Sequence, residues 1–338
     1  MDIKGRFIEF SAPKTACLKE QAYDASALAA GQVLVRMEYT VISGGTERAY
    51  IMAMPNTPQS FPTRLGYCGV GRVEAMGSAV SDFSIGDRGL VYHGTHADYN
   101  VVDASRLTRV LDDNIDSREA AFVVIATMGL GGVRKLEIEL GESAMVMGLG
   151  LLGMFAVQFL ARSGANPVIA ADPNPERRAL ALRLGADYAL DPTAEGFKDE
   201  VMRLTRGKGV NGCVEVTGIS SAMMQALECA SYMGRISLLG CTRTSDHAVD
   251  YYSQVHKPGV KLIGAHNFVR PKVESYPHHW THHDDCRAIL DLISAGKIEV
   301  LPMISRICAP EDASEIYTEL CENKNFPMGT VFDWRKQK

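Results

Sequence analysis

The chain has 338 residues, 46% of them hydrophobic and 22% charged, with a net charge of −5. That length allows two domains of ordinary size, and the composition is that of a globular protein with a substantial core. The mildly negative balance offers no basic face to nucleic acid or an anionic membrane, so neither is expected as a partner.

Residues 1–6 have no apolar signal core behind them, and the eight cysteines are scattered without a CxxC pair. Reduced thiols, a cytoplasmic location and the absence of a structural zinc knot are therefore expected. The first 110 residues read mostly as strand: 32–39 alternates, 69–75 is a glycine-rich bent strand, and 86–92 and 97–102 add short strands. A largely apolar helical stretch runs from Ser117 to Lys135. From Glu142 strands and helices alternate, with helices at 176–184 and 221–232 and strands at 185–190, 214–216 and 235–240. Such alternation implies parallel strands covered on both faces. Near the end, Thr281 is placed to cap a helix with Asp284 as its capping-box partner, and Gly296 stops that helix. A last helix at 311–321 and a strand at 330–332 close the chain.

The most telling segment is Gly148-Leu149-Gly150-Leu151-Leu152-Gly153, followed 19 residues later by Asp172. A buried strand precedes the glycines, a helix follows, and a second strand ends on the acid. Gly148 permits the turn, Gly150 lets backbone approach a pyrophosphate, and Gly153 lets helix pack on strand. The helix N-terminus attracts the anion. Asp172 accepts from a ribose and repels a 2′-phosphate, so the expected cofactor is NAD. Although residues 144–161 form an 18-residue stretch without charge, the glycines and the aspartate argue against a membrane span.

Together with Gly45-Thr46-Glu47, Leu65-Gly66-Tyr67, Gly86-Asp87-Arg88, His96-Ala97-Asp98-Tyr99, residues 183–187, 215–218 and Gly234-Arg235-Ile236, this segment resembles the medium-chain dehydrogenase/reductase superfamily. The resemblance implies an α/β fold, a GroES-like β-barrel catalytic domain (1–123 and 265–338) with an inserted Rossmann doubly wound parallel sheet (124–264). It also implies a homo-oligomer, a dimer or tetramer, with residues 237–251 near the pairing edge.

Zinc-dependent members carry ligands at positions that correspond here to Gly44, Tyr67-Cys68 and roughly Val123. One thiolate is not a tetrahedral site, and the four-cysteine lobe is missing, so no metal is expected. Without a Lewis acid, a side chain must move the proton. Tyr67, His93, His96 and His266 lie on segments that reach the nicotinamide in the family, with Tyr67 and His266 ranked level. Zinc-free bacteriochlorophyllide hydroxyethyl dehydrogenases are similar in placing tyrosine where zinc enzymes place histidine. The resemblance makes Thr46 a proton-passing hydroxyl and sets Thr127 and Leu152 beside the nicotinamide. Arg177 joins Asp172 at the ribose, and Leu151, Thr217 and Gly240 complete the expected cofactor contacts. His96, His279 and Trp280 are expected to touch substrate. The spacing of His278/His282 and His279/His283 invites a metal reading, but Thr281 as N-cap separates the members of each pair.

The expected activity is NAD-dependent oxidation of a secondary alcohol on a polyol, sugar-like or other small hydroxylated molecule. Two alternatives stay open: a zinc-free reductase of an activated C=C bond, and a catalytically silent cofactor-binding protein.

Overall fold

The computed structural model describes residues 2–335. Two compact units emerge, one running to Ile125 and resuming at Cys286, the other spanning Ala126–Asp285.

In the first unit, β1 (Asp2–Ala12) and β2 (Thr15–Asp24) form an antiparallel hairpin. A seven-stranded sheet comprises β3 (Gln32–Val41), β4 (Cys68–Met76), β5 (Arg88–Tyr92), β6 (Tyr99–Asp103) and β7 (Leu107–Arg109), with two strands from the chain's end. β3 pairs antiparallel with both β4 and β6, which curls the sheet into a GroES-like barrel. Alternation along β3 sends Val33, Val35 and Met37 into a core shared with Phe10, Tyr317 and Phe332.

In the second unit, β8 (Ala144–Met147), β9 (Val168–Ala171), β10 (Tyr188–Leu190), β11 (Val210–Glu215), β12 (Ala230–Leu238) and β13 (Lys261–Gly264) form one parallel sheet. Their order is β10-β9-β8-β11-β12-β13, so direction of travel reverses beside β8. Ligands of such sheets lie beyond the carboxyl ends of the strands at that point. β8 and β9 are buried throughout, which explains their unbroken apolar runs.

The α-helices among the described residues are α1 (Gly44–Ile51), α2 (Ser117–Ala120), α3 (Val123–Arg134), α4 (Leu151–Arg162), α5 (Pro175–Arg183), α6 (Phe197–Leu204), α7 (Ser220–Cys229), α8 (His282–Ser294) and α9 (Ala313–Glu322). Last come β14 (Arg306–Cys308) and β15 (Thr330–Asp333). The uncharged stretch 144–161 is β8, a turn and most of α4, and no helix among the described residues is long and apolar enough to cross a membrane.

Three expectations need correction. Residues 265–285 belong to the second unit, not the first, because Arg270 and Asp285 tie them to Arg134 and Thr127. The helix expected to reach 232 stops at Cys229, and the next strand begins at once. β12 then jumps register around Met233, which takes φ +59. The sheet edge is β13, so Ser237 and Leu238 lie on an inner strand rather than at a pairing edge.

Candidate active site

Residues 148–150 form the turn between β8 and α4. Gly148 takes φ +97, a conformation costly for any residue with a Cβ. A Cβ on Gly153 would stand 1.9 Å from the Gly148 carbonyl oxygen, so only glycine lets α4 close on the strand. Gly150 differs: its φ is −75, and nothing lies within 4 Å of where its Cβ would stand. Its missing side chain leaves the open approach that a pyrophosphate needs, and α4 starts there with no side-chain cap on its amides. Leu151 and Leu152 are the first two residues of that helix, both half-buried.

Asp172 follows β9 and is 6% exposed. Its Oδ2 accepts from the Leu149 amide at 2.8 Å and its Oδ1 from the Asn174 amide at 2.8 Å. Each oxygen keeps a lone pair for a ribose hydroxyl. Arg177 Nη1 stands 3.8 Å from Oδ2, whereas Arg178 donates to the carbonyls of Asp172 and Pro173 and so holds the loop.

Beside this turn the Thr217 hydroxyl, expected at the cofactor, is committed to the buried Glu215 carboxylate and accepts from the Ile219 amide. Burial holds the Glu215 carboxyl above its ordinary range despite these bonds. Gly240 packs backbone to backbone, its would-be Cβ 2.3 Å from the Gly218 nitrogen. Thr127 is fully buried, with its hydroxyl 3.3 Å from His282 Nδ1.

The first unit holds a buried polar chain. Trp334 Nε1 donates to Thr40 Oγ1 at 2.8 Å, and Thr40 Oγ1 lies 2.7 Å from His96 Nδ1. His96 Nε2 lies 3.1 Å from Glu47 Oε2, which also accepts from the Tyr317 hydroxyl at 2.5 Å. Donors and acceptors all match when His96 carries its proton on Nε2. His96 is 0% exposed with both ring nitrogens engaged, so it supports the barrel and does not line a substrate wall. Sequence spacing could not show which way this ring turns.

Glu47 Oε1 accepts from the Ser43 amide at 2.8 Å, and Ser43 Oγ accepts from the Tyr67 hydroxyl at 2.7 Å. Thr46 also hydrogen-bonds Tyr67. Tyr67 is half-buried, and burial pushes its phenol well above its ordinary value, with Cys68 and Glu47 adding to the shift. Ser43, which no motif flagged, is thus a partner of the expected catalytic tyrosine.

His93 is exposed, takes φ +61 and stacks on Tyr92; partial burial and Arg106 lower its pKa, so it is neutral at pH 7. In the second unit, exposed His266 accepts from the Phe268 amide through Nδ1 at 3.2 Å, which leaves its ring proton on Nε2 as a donor. His279 stacks on Tyr276, and Trp280 carries the Arg134 guanidinium 3.9 Å from its ring centre. The Thr281 hydroxyl caps α8 by accepting from the Asp284 amide, but the expected capping box is not formed: the Asp284 carboxylate accepts from the Thr281 hydroxyl, and the Thr281 amide donates to Ser275 Oγ at 2.8 Å.

The donor set does not fit zinc. Where the resemblance puts ligands stand a glycine, a protonated tyrosine and a valine, and Cys68 is fully buried with its thiol held well above its ordinary value by burial. Among the described residues no three His, Cys, Asp or Glu side chains are grouped to hold a metal ion.

Two family models match the chain: the alcohol dehydrogenase GroES-like domain over residues 29–113 and the zinc-binding dehydrogenase domain over 152–295. D-guloside 3-dehydrogenase of Escherichia coli K12 is 24% identical across 95% of this chain and 98% of its own length. A crystallised protein from Sinorhizobium meliloti 1021, bound to NADP, aligns over 98% of this chain and 99% of its own, with 21% identity and a TM-score of 0.82. Galactitol-1-phosphate dehydrogenase from Escherichia coli aligns over 97% and 99%, with 18% identity and a TM-score of 0.84. The two domain models and the full-length relative support the medium-chain dehydrogenase/reductase superfamily, an oxidoreductase family of the alcohol dehydrogenase type, as the family of this chain, and the two solved structures share its fold.

Proposed function

We propose that this protein is a zinc-independent, NAD-dependent dehydrogenase that oxidises a secondary alcohol of a polyol, glycoside or similar hydroxylated molecule to a ketone. The observation that carries the reading is the pairing of Asp172 with the glycine turn, and the glycine, tyrosine and valine at the family's ligand positions favour a reaction without zinc. Residues 148–153 would hold the pyrophosphate, and Asp172 with Arg177 the adenosine ribose. A structural neighbour is bound to NADP, whereas here a buried carboxylate at the end of β9 favours the nucleotide without a 2′-phosphate.

When bound, the nicotinamide ring supplies the hydride acceptor. The chain must then remove the alcohol's proton. Tyr67, kept protonated, donates to Ser43 with Thr46 beside it, and this hydroxyl cluster orients the alcohol's oxygen while the alcohol's O–H proton points away to the base. His93, neutral at pH 7, is the proton acceptor of the same unit, and its amide donates to the Tyr67 carbonyl at 2.9 Å. His266 offers Nε2–H and orients an oxygen rather than acting as base. The sugar-ring chemistry in the name of the full-length relative supports a secondary alcohol on such a ring.

The test is a panel of polyols, glycosides and threonine offered with NAD or NADP, read as NADH or NADPH absorbance. NAD-linked turnover of a hydroxylated substrate is expected. Turnover only as NADPH-dependent reduction of enones or quinones would overturn the reading.

A further inference from the structure

The second unit holds a cleft whose charge the proposed reaction leaves unexplained. Its own volume is small, about 20 Å³, and Arg134, Lys135, His266, Arg270, Trp280 and Asp285 line it. His266 and Trp280 belong to the expected site, whereas Arg134 and Lys135 carry no motif. Two of the cations face the one carboxylate: Arg134 Nε at 2.9 Å and Arg270 Nη1 at 3.4 Å from Asp285. Lys135, half-buried, has no ion pair or side-chain hydrogen bond among the described residues. Burial and Arg270 both lower its pKa, which shows an ammonium short of compensation. Three cations around one buried carboxylate leave the cleft with a surplus of positive charge before any histidine is counted. Partly desolvated charges of one sign are costly without a counter-charge, and a flat indole wall suits the apolar face of a carbon chain or ring.

We infer that this cleft is an anion subsite that takes a carboxylate or phosphate group carried on a hydroxylated substrate. The inference rests on the proposed dehydrogenase reading and narrows its substrate to an acidic or phosphorylated polyol or sugar. Lys135 supplies the uncommitted charge and Trp280 the stacking surface.

Binding is measurable without turnover. The chain has two tryptophans, and Trp334 is buried in the other unit, so quenching of indole emission that disappears in Trp280→Phe reports on this cleft. The whole protein is titrated at low salt with sorbitol, gluconate, sorbitol 6-phosphate and inorganic phosphate. Gluconate or sorbitol 6-phosphate should bind at least about tenfold more tightly than sorbitol, and which of the two does so identifies the anion. Lys135→Met and Lys135→Glu should each remove that advantage and leave sorbitol binding unchanged; two replacements guard against a folding defect in one. Equal affinity for sorbitol and the anionic polyols would overturn the inference, as would inorganic phosphate binding as well as sorbitol 6-phosphate. NAD-linked oxidation of neutral polyols would survive that failure, whereas selective anion binding by a protein that oxidises no polyol would sink the function and leave the subsite standing.

Discussion

The Asp172 carboxylate accepts a hydrogen bond from the Leu149 amide at 2.8 Å, so the acid ending β9 and the glycine turn after β8 form a single structure. Nucleotide choice and turn geometry are therefore coupled. Replacing Asp172 by Ser should shift the ratio of NADH to NADPH affinity toward NADPH by about tenfold or more, read by fluorescence titration of both. An unchanged ratio would remove Asp172 from nucleotide selection.

The two glycines within the turn should separate by phenotype. Gly150→Ala meets open space at an ordinary φ, so its unfolding temperature should stay near that of the parent while dinucleotide affinity drops at least about tenfold. Gly153→Ala drives a Cβ into the Gly148 carbonyl and should cost about 3 kcal/mol or more of stability in urea unfolding.

Tyr67→Phe keeps the ring and deletes the hydroxyl that donates to Ser43. Turnover should fall by about 10²-fold or more with little change in stability. Because burial raises the phenol's pKa, Tyr67 stays protonated across the neutral and mildly alkaline range, and no alkaline limb of the rate profile should belong to it. Burial lowers His93, so a base at that position is charged only in acid, and the rate should rise with pH through a midpoint below 6.5. Replacing His93 with Gln should abolish that limb, and Tyr67→Phe should retain it.

Asp285 gives a stability prediction whose sign runs opposite to the usual carboxylate. Desolvation raises its pKa from 3.8 to about 6, against the pull of Arg134 and Arg270. The folded state thus holds this proton more tightly than the unfolded chain does between those two values. Stability linked to Asp285 is greatest in acid and declines as pH rises from about 4 to about 6, by up to about 3 kcal/mol. Urea unfolding of the parent and of Asp285→Asn at both ends of that window isolates the effect, and the parent should lose ground to the variant as pH rises.

The parallel sheet and its glycine turn were legible because they depend on local rules. Uniformly apolar β8 and β9, glycines of distinct function and a terminal acid each leave their own mark on the sequence. The Thr281 cap on α8 was legible for the same reason, a cap being a short-range contact. What sequence spacing could not show is rotation and long-range pairing. His96 turns inward because Thr40, Glu47 and Tyr317 receive it, and these come from positions 56, 49 and 221 residues away in the chain. Thr217 likewise lies where a cofactor contact was expected, yet Glu215, two residues earlier, claims its hydroxyl. Ser43 carries no motif, and only the fold brings it to Tyr67. The cationic cleft escaped notice because Arg134 and Lys135 sit at the end of an apolar helix and Arg270 in an irregular loop.

The claim that side chains rather than a metal manage the proton is tested most directly by turnover of metal-depleted protein. Protein dialysed against chelator, with bound zinc and iron measured by mass spectrometry in the same sample, is assayed for NAD-linked oxidation of its best polyol. Full activity with far less than one metal per chain is the predicted result. Activity that falls with the chelated metal and returns with one equivalent of zinc would contradict it.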